Sequence, residues 1–190
     1  AAVRKAPGTA IISHEILAPA ASDKTAKVMN DLEGIDVHIA YSARDLARQV
    51  PAAWQESIKQ GRKWTYRKFL QRMEKGETWF AKAFDLPRVL NVWGAGLPPE
   101  QVHVVTVPRR GQQERRSDLL WHRFAEAFDI DPAWAPVDSK RTNRSLGMAE
   151  TQLLRRLNRG VERTARRQGQ YDDLIRDLLV EDQLGGRDSG

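Results

Sequence analysis

Arg44 and Arg48 lie four residues apart in VHIAYSARDLARQVPAAWQESIK, residues 37–59. Val37, Ile39 and Tyr41 alternate with polar or small neighbours and would share one face of a short strand. That strand runs straight into Arg44, and a helix bearing Arg48, Gln49, Trp54 and Gln55 follows. In an α/β protein, a strand, an arginine and a helix in that order aim a cation and a helix N-terminus at an anion beyond the carboxyl end of a parallel sheet. Arg48 falls on the same helical face as Arg44 if the helix has begun there, and would add a second cation. The plain alternative is a solvated arginine at a βα turn. Trp54 reads as a core residue before it reads as a platform for a base, and Lys59 as a solvated charge.

The second cationic feature is LLRRLNRGVERTARRQ, residues 153–168. At about 100° per residue, Arg155, Arg156, Arg159, Arg163, Arg166 and Arg167 fall within about 120° of arc. Leu153, Leu154, Leu157 and Val161 occupy another side. The expected helix packs its leucines and leaves a basic stripe in solvent. Such a stripe is a solvated face or attracts polyanions. Few aromatics accompany it, which argues against stacking on single-stranded nucleic acid.

The elements that would position these residues alternate between strand and helix. Residues 10–13 form a short apolar run after Pro7-Gly8, consistent with a buried strand. Ser22 or Asp23 would cap a helix reaching about Glu33, closed by Gly34. Pro51 lies inside the pattern of the helix after Arg44 and predicts a kink or a late start, with Gly61 ending it. Thr65 would cap the next helix, and Pro87 is placed for the first position of another, with Gly94 and Gly96 past its end. Residues 102–107 are the clearest strand, stopped by Pro108. RRGQQERRSD reads as polar and mobile, residues 119–128 as helical, 146–168 as a long helix and 171–179 as a further one. The fold class expected is α/β, a small parallel sheet of three or four strands flanked by helices, with a helix-rich C-terminal half. Residues 1–184 read as one domain and 185–190 as a disordered tail.

Composition bounds the rest. The 190 residues are 41% hydrophobic and 29% charged, ordinary for a globular protein, with a net charge of +6 that favours anionic partners. No segment approaches the ~18 apolar residues of a membrane span, and no apolar leader opens the chain. Zero cysteines exclude disulfides, thiolate nucleophiles and cysteine metal sites, and permit a cytoplasmic setting. Four dispersed histidines give no metal-ligand spacing, so no metal is expected.

The pairing of AIISHEILA with VHIAYSARDLARQVPAAWQESIK resembles the bacterial branch of the PAPS-dependent sulfotransferases. So does the later order VHVVTVP, LLWHRFAEAFDIDP and NRSLGMAETQLLRRLNR. The similarity runs from about residue 9 to about residue 184. It implies a P-loop nucleotide-binding type of fold, 3′-phosphoadenylyl sulfate (PAPS) as donor and a small-molecule, glycan or lipid hydroxyl as acceptor. In that family a strand ends in an Arg, and a Ser eight residues on joins it at the donor's 3′-phosphate. Arg44 matches the Arg, and Ala52 stands at the Ser position. The family's Gly/Lys/Thr-rich loop for the 5′-phosphosulfate has no counterpart in these residues, so the chain is expected to be a region of a longer protein or one that has lost its donor loop. A base for the acceptor proton is implied within Ser13-His14-Glu15, with Glu15 first and His14 as its rival. Asn143 and Ser145 match the family's NxSLG segment, and Ser145 also reads as a helix cap. Two alternatives stay open: a non-catalytic anion- or nucleic-acid-binding module built on the arginine stripe, and a kinase-like relative of the same sheet.

Overall fold

Residues 3–5, 8–109, 111, 118–134 and 146–160 are described by the computed structural model. Their contacts group the chain into two compact units, Ala1–Arg44 with Met73–Ala135, and Asp45–Arg72 with Pro136–Gly190. The described residues hold seven α-helices and two strands, an α/β arrangement rich in helix.

The first unit is built on β1 (Ile39–Ala43) and β2 (Val102–Thr106). They pair in parallel, with Ile39 opposite Val102 and Ala43 opposite Thr106. Parallel pairs are commonly covered by helices, and each strand has a helix packed against it here. α1 (Ser22–Asp31), α4 (Trp79–Ala83) and α5 (Leu86–Trp93) pack together, with α5 on β1. Tyr41 donates its hydroxyl hydrogen to the Ala83 carbonyl at 2.9 Å. Burial, with Asp85 nearby, pushes that phenol above its ordinary pKa. α6 (Leu119–Ala127) lies on β2. Arg88 donates to the Ala20 carbonyl at 3.0 Å and the Trp93 indole to that of Leu17 at 2.9 Å, strapping residues 17–20 along α5.

The second unit contains α2 (Leu46–Lys59), most of α3 (Tyr66–Glu74) and α7 (Met148–Gly160). Trp54, Ile58, Phe69 and Leu154 form its core. The Trp54 indole donates to the Trp64 carbonyl at 3.0 Å, so the core reading of Trp54 holds. Gly61, at φ +83, turns the chain out of α2 in the left-handed region that glycine enters freely. Fully buried Asn158 donates to the carbonyls of Ile58 and Arg62 at 2.8 and 2.9 Å, tying α7 to that turn.

Several expectations shift. Residues 10–13 are not a buried strand: they have no strand partner among the described residues, and Ile11 and Ile12 are 58% and 68% exposed. β1 begins two residues later than the alternation suggests, because pairing with Val102 sets its start. α1 begins at Ser22 with Ala21 in the cap and no side-chain cap bond. α2 starts at Leu46 and runs through Pro51 without a late start; its cap and the packing of Trp54 and Ile58 outweigh one lost hydrogen bond.

The packed side of α7 also differs. Thr151, Leu154, Arg155 and Asn158 are buried, while Leu153 and Leu157 are 48% and 41% exposed. The buried arc is rotated towards Arg155, because the amide of Asn158 meets the carbonyls at the end of α2. Arg163, Arg166, Arg167 and residues 171–190 lie outside the described residues, as do Asn143, Ser145 and most of the 109–118 segment.

Asn158→Ala should lower the unfolding free energy by roughly 1–3 kcal/mol, since two carbonyls lose their donor in a closed environment. Urea denaturation checks this, and an unchanged midpoint would contradict the packing described.

Candidate functional site

The carboxyl edge of the parallel pair is where an α/β sheet presents side chains to ligands. Arg44 leaves that edge directly after Ala43, and it is exposed without a hydrogen bond or ion pair to any described residue. Beside it, Val107 donates its N–H to the Ala43 carbonyl at 2.8 Å, one step past the last strand pair. Arg123 of α6 reaches the same edge and donates from Nη1 to the carbonyl and hydroxyl oxygens of Thr106 at 2.7 and 2.9 Å. A cleft of about 490 Å³ lies along α6, lined by Leu119, His122, Arg123, Glu126, Asp129 and Pro132. A shallower one of about 400 Å³ is lined by Val104, Thr106, Arg123 and Glu126. Neither is lined by Arg44.

His122 is the imidazole of the larger cleft. Its Nε2 lies 2.8 Å from Oδ2 of Asp118, one turn earlier on the helix. A carboxylate there holds the ring so that a neutral imidazole keeps its Nδ1 lone pair as a proton acceptor. No family model, curated protein or solved structure matches the chain. Among the described residues no cluster of three histidine or acidic side chains could hold a metal ion. No helix among them is long and apolar enough to cross a membrane.

The other residues singled out by sequence fall elsewhere. Arg48 and Ala52 belong to α2 in the second unit, and Ala52 is half-buried. Asp45 caps α2: its Oδ1 accepts the Arg48 N–H at 3.0 Å, and its Oδ2 pairs with the Arg48 Nε. The positive end of that helix, read from sequence as open to an external anion, is therefore filled by the chain's own carboxylate. Asp85 repeats the arrangement on α5, accepting the N–H of Arg88 at 3.1 Å. The recurring Asp-Leu-x-Arg at 45–48 and 85–88 was the available signal.

His14 and Glu15 open a short 3₁₀ turn, Glu15–Leu17. His14 caps it, its Nδ1 accepting the Ile16 N–H at 3.1 Å, which places the ring proton on Nε2. Glu15 is exposed, its carboxylate 3.6 Å from that same Nδ1, too far for a hydrogen bond. The turn is anchored to Trp93, at the end of α5 where Gly94 closely approaches Val102, the first residue of β2. Its anchor thus lies towards the amino end of the sheet, while Arg44 leaves the carboxyl end.

Removing the cap tests this local account. Asp45→Ala should destabilise the protein by about 1 kcal/mol in urea unfolding at neutral pH. A neutral outcome would mean that the carboxylate does not hold the first turn of α2.

Proposed function

We propose that the chain is a sulfotransferase-like domain that binds the 3′-phosphate of a 3′-phosphoadenylyl sulfate donor through Arg44 and transfers its sulfuryl group to a hydroxyl-bearing acceptor. The observation that carries this reading is the parallel, in-register pairing of β1 and β2, which presents at the carboxyl edge a guanidinium with no partner among the described residues. A tetrahedral dianion meets that guanidinium in the geometry to which it is suited. Asp45 already neutralises the first turn of α2, so the arginine supplies most of the attraction in this reading.

In sulfuryl transfer the acceptor oxygen attacks sulfur while the bond from sulfur to the donor phosphate breaks, and a base takes the acceptor proton. Positioning and charge stabilisation supply most of the catalysis, as in phosphoryl transfer. His14 commits its Nδ1 to a cap, and the Glu15 turn is anchored at the other end of the sheet. His122, held by Asp118 in the cleft beside Arg123, is better placed, and takes the base role from Glu15 and His14 in this reading. The stripe-based alternative loses support, because Arg155 is buried and only Arg156 and Arg159 of the described stripe are exposed.

Adenosine 3′,5′-bisphosphate should raise the melting temperature in a concentration-dependent way, and Arg44→Ala should remove the shift while leaving the unliganded melting temperature unchanged. No shift in the parent protein, or an equal shift in the variant, would overturn the reading.

A further inference from the structure

At the opposite end of the strands, His38 and His103 meet end to end. His38 precedes β1, and His103 is the second residue of β2, opposite Ala40. Nδ1 of His38 lies 2.8 Å from Nε2 of His103. The ring centroids are 5.1 Å apart and the ring planes differ by 19°. Two ring radii added to the 2.8 Å contact account for the whole centroid separation. The N···N line therefore runs through both rings, which lie nearly in one plane and are not stacked face to face. One nitrogen's lone pair points straight at the other's N–H.

This geometry selects what can sit between the rings. A metal ion needs about 2.0–2.1 Å to each nitrogen, so in line it would require about 4 Å between them. At 2.8 Å the gap holds a proton and nothing larger.

The surroundings make the pair sensitive to how many protons it carries. Phe128, just past α6, closes one side, its ring 4.6 Å from that of His103 and 6.1 Å from that of His38. The charged group shown facing the pair is Asp36, whose Oδ2 is 3.5 Å from Nε2 of His38. Gln101 holds Asp36 in place, donating to its Oδ1 at 2.6 Å. Gln101, Asp36, His38 and His103 thus form one polar chain across the amino end of the sheet.

We infer that His38 and His103 form a proton-operated latch on the β1–β2 pair, closed while the two rings carry at most one extra proton and opened by a second. With no extra proton one ring donates and the other accepts. With one, the bond becomes charge-assisted and stronger, and Asp36 steadies the positive charge on the His38 side. With two, both nitrogens are donors, no acceptor remains, and two like charges face each other across 2.8 Å. The side-chain hydrogen bond that joins the residue before β1 to β2 is then lost. Consistent with this, burial and the charge of His38 hold the His103 imidazole below the ordinary histidine pKa. The two steps belong to the pair as a unit.

The effect on stability has a definite sign. Above about pH 6.5 both folded and unfolded chains leave His103 neutral. Below it the unfolded chain binds a proton that the folded chain resists, so stability falls with pH until the lower folded value is passed.

Assigned imidazole ¹⁵N NMR of the full chain, from about pH 8 to about pH 5, tests the latch. Two separated steps are expected for the pair, with His103 titrating below an ordinary histidine and moving upwards in His38→Asn. Urea unfolding over the same range should show a steeper loss below about pH 6.5 in the parent than in His103→Asn. A single step with two independent histidines, or the same pH profile in parent and His103→Asn, would overturn the inference. If neither variant folds, the titration of the parent protein decides alone.

Discussion

The parallel register of β1 and β2 is the constraint on which the first unit depends. It aligns Ile39 with Val102 and Ala43 with Thr106, and the Val107 N–H extends it one step further. A shift by one residue would turn every side chain to the opposite face. Tyr41 would leave the Ala83 carbonyl, and His103 would leave Phe128. The same register that sends Arg44 out of the carboxyl edge brings His38 and His103 together at the amino edge. One end of the sheet thereby carries an exposed cation and the other a pair of hydrogen-bonded imidazoles.

Electrostatics decide which groups remain available. Two helices start on aspartates that accept the first-turn N–H of an arginine three residues on, so their positive ends are already satisfied. Arg123 is spent on Thr106 and Arg88 on Ala20, which makes these cations structural clamps. Arg155 is buried beside Arg156 and Arg159, and burial together with those two charges lowers its pKa. Although the net charge of +6 suggests a diffuse appetite for anions, much of the cationic inventory is committed. Arg44 is set apart by its place, leaving the carboxyl edge of the strand pair with no partner among the described residues.

Legibility followed the range of the forces involved. Local capping was readable: Thr65 takes the Lys68 N–H at 3.2 Å, and Gly61 and Gly94 stand at helix ends where turn chemistry puts them. β2 was clear because a β-branched apolar run has few other outcomes. The start of β1 was not, because a partner 63 positions away (Ile39 to Val102) sets it. The face of α7 was misread for a similar reason. A single amide, Asn158, bonded to two distant carbonyls, orients the helix against the preference of Leu153 and Leu157. At the candidate site, Arg44 at a strand end was legible, whereas the cleft lined by His122 and Arg123 was not. Its position rests on α6 packing against β2, a long-range fact no spacing records.

In the proposed reading the carboxyl edge of this strand pair receives a nucleotide phosphate at Arg44. Backbone amide NMR during titration with adenosine 3′,5′-bisphosphate addresses it residue by residue. The largest perturbations should fall on Ala43, Arg44 and Val107, with smaller ones along the start of α6. Perturbations centred on Arg156 and Arg159, or none at saturating nucleotide, would contradict it.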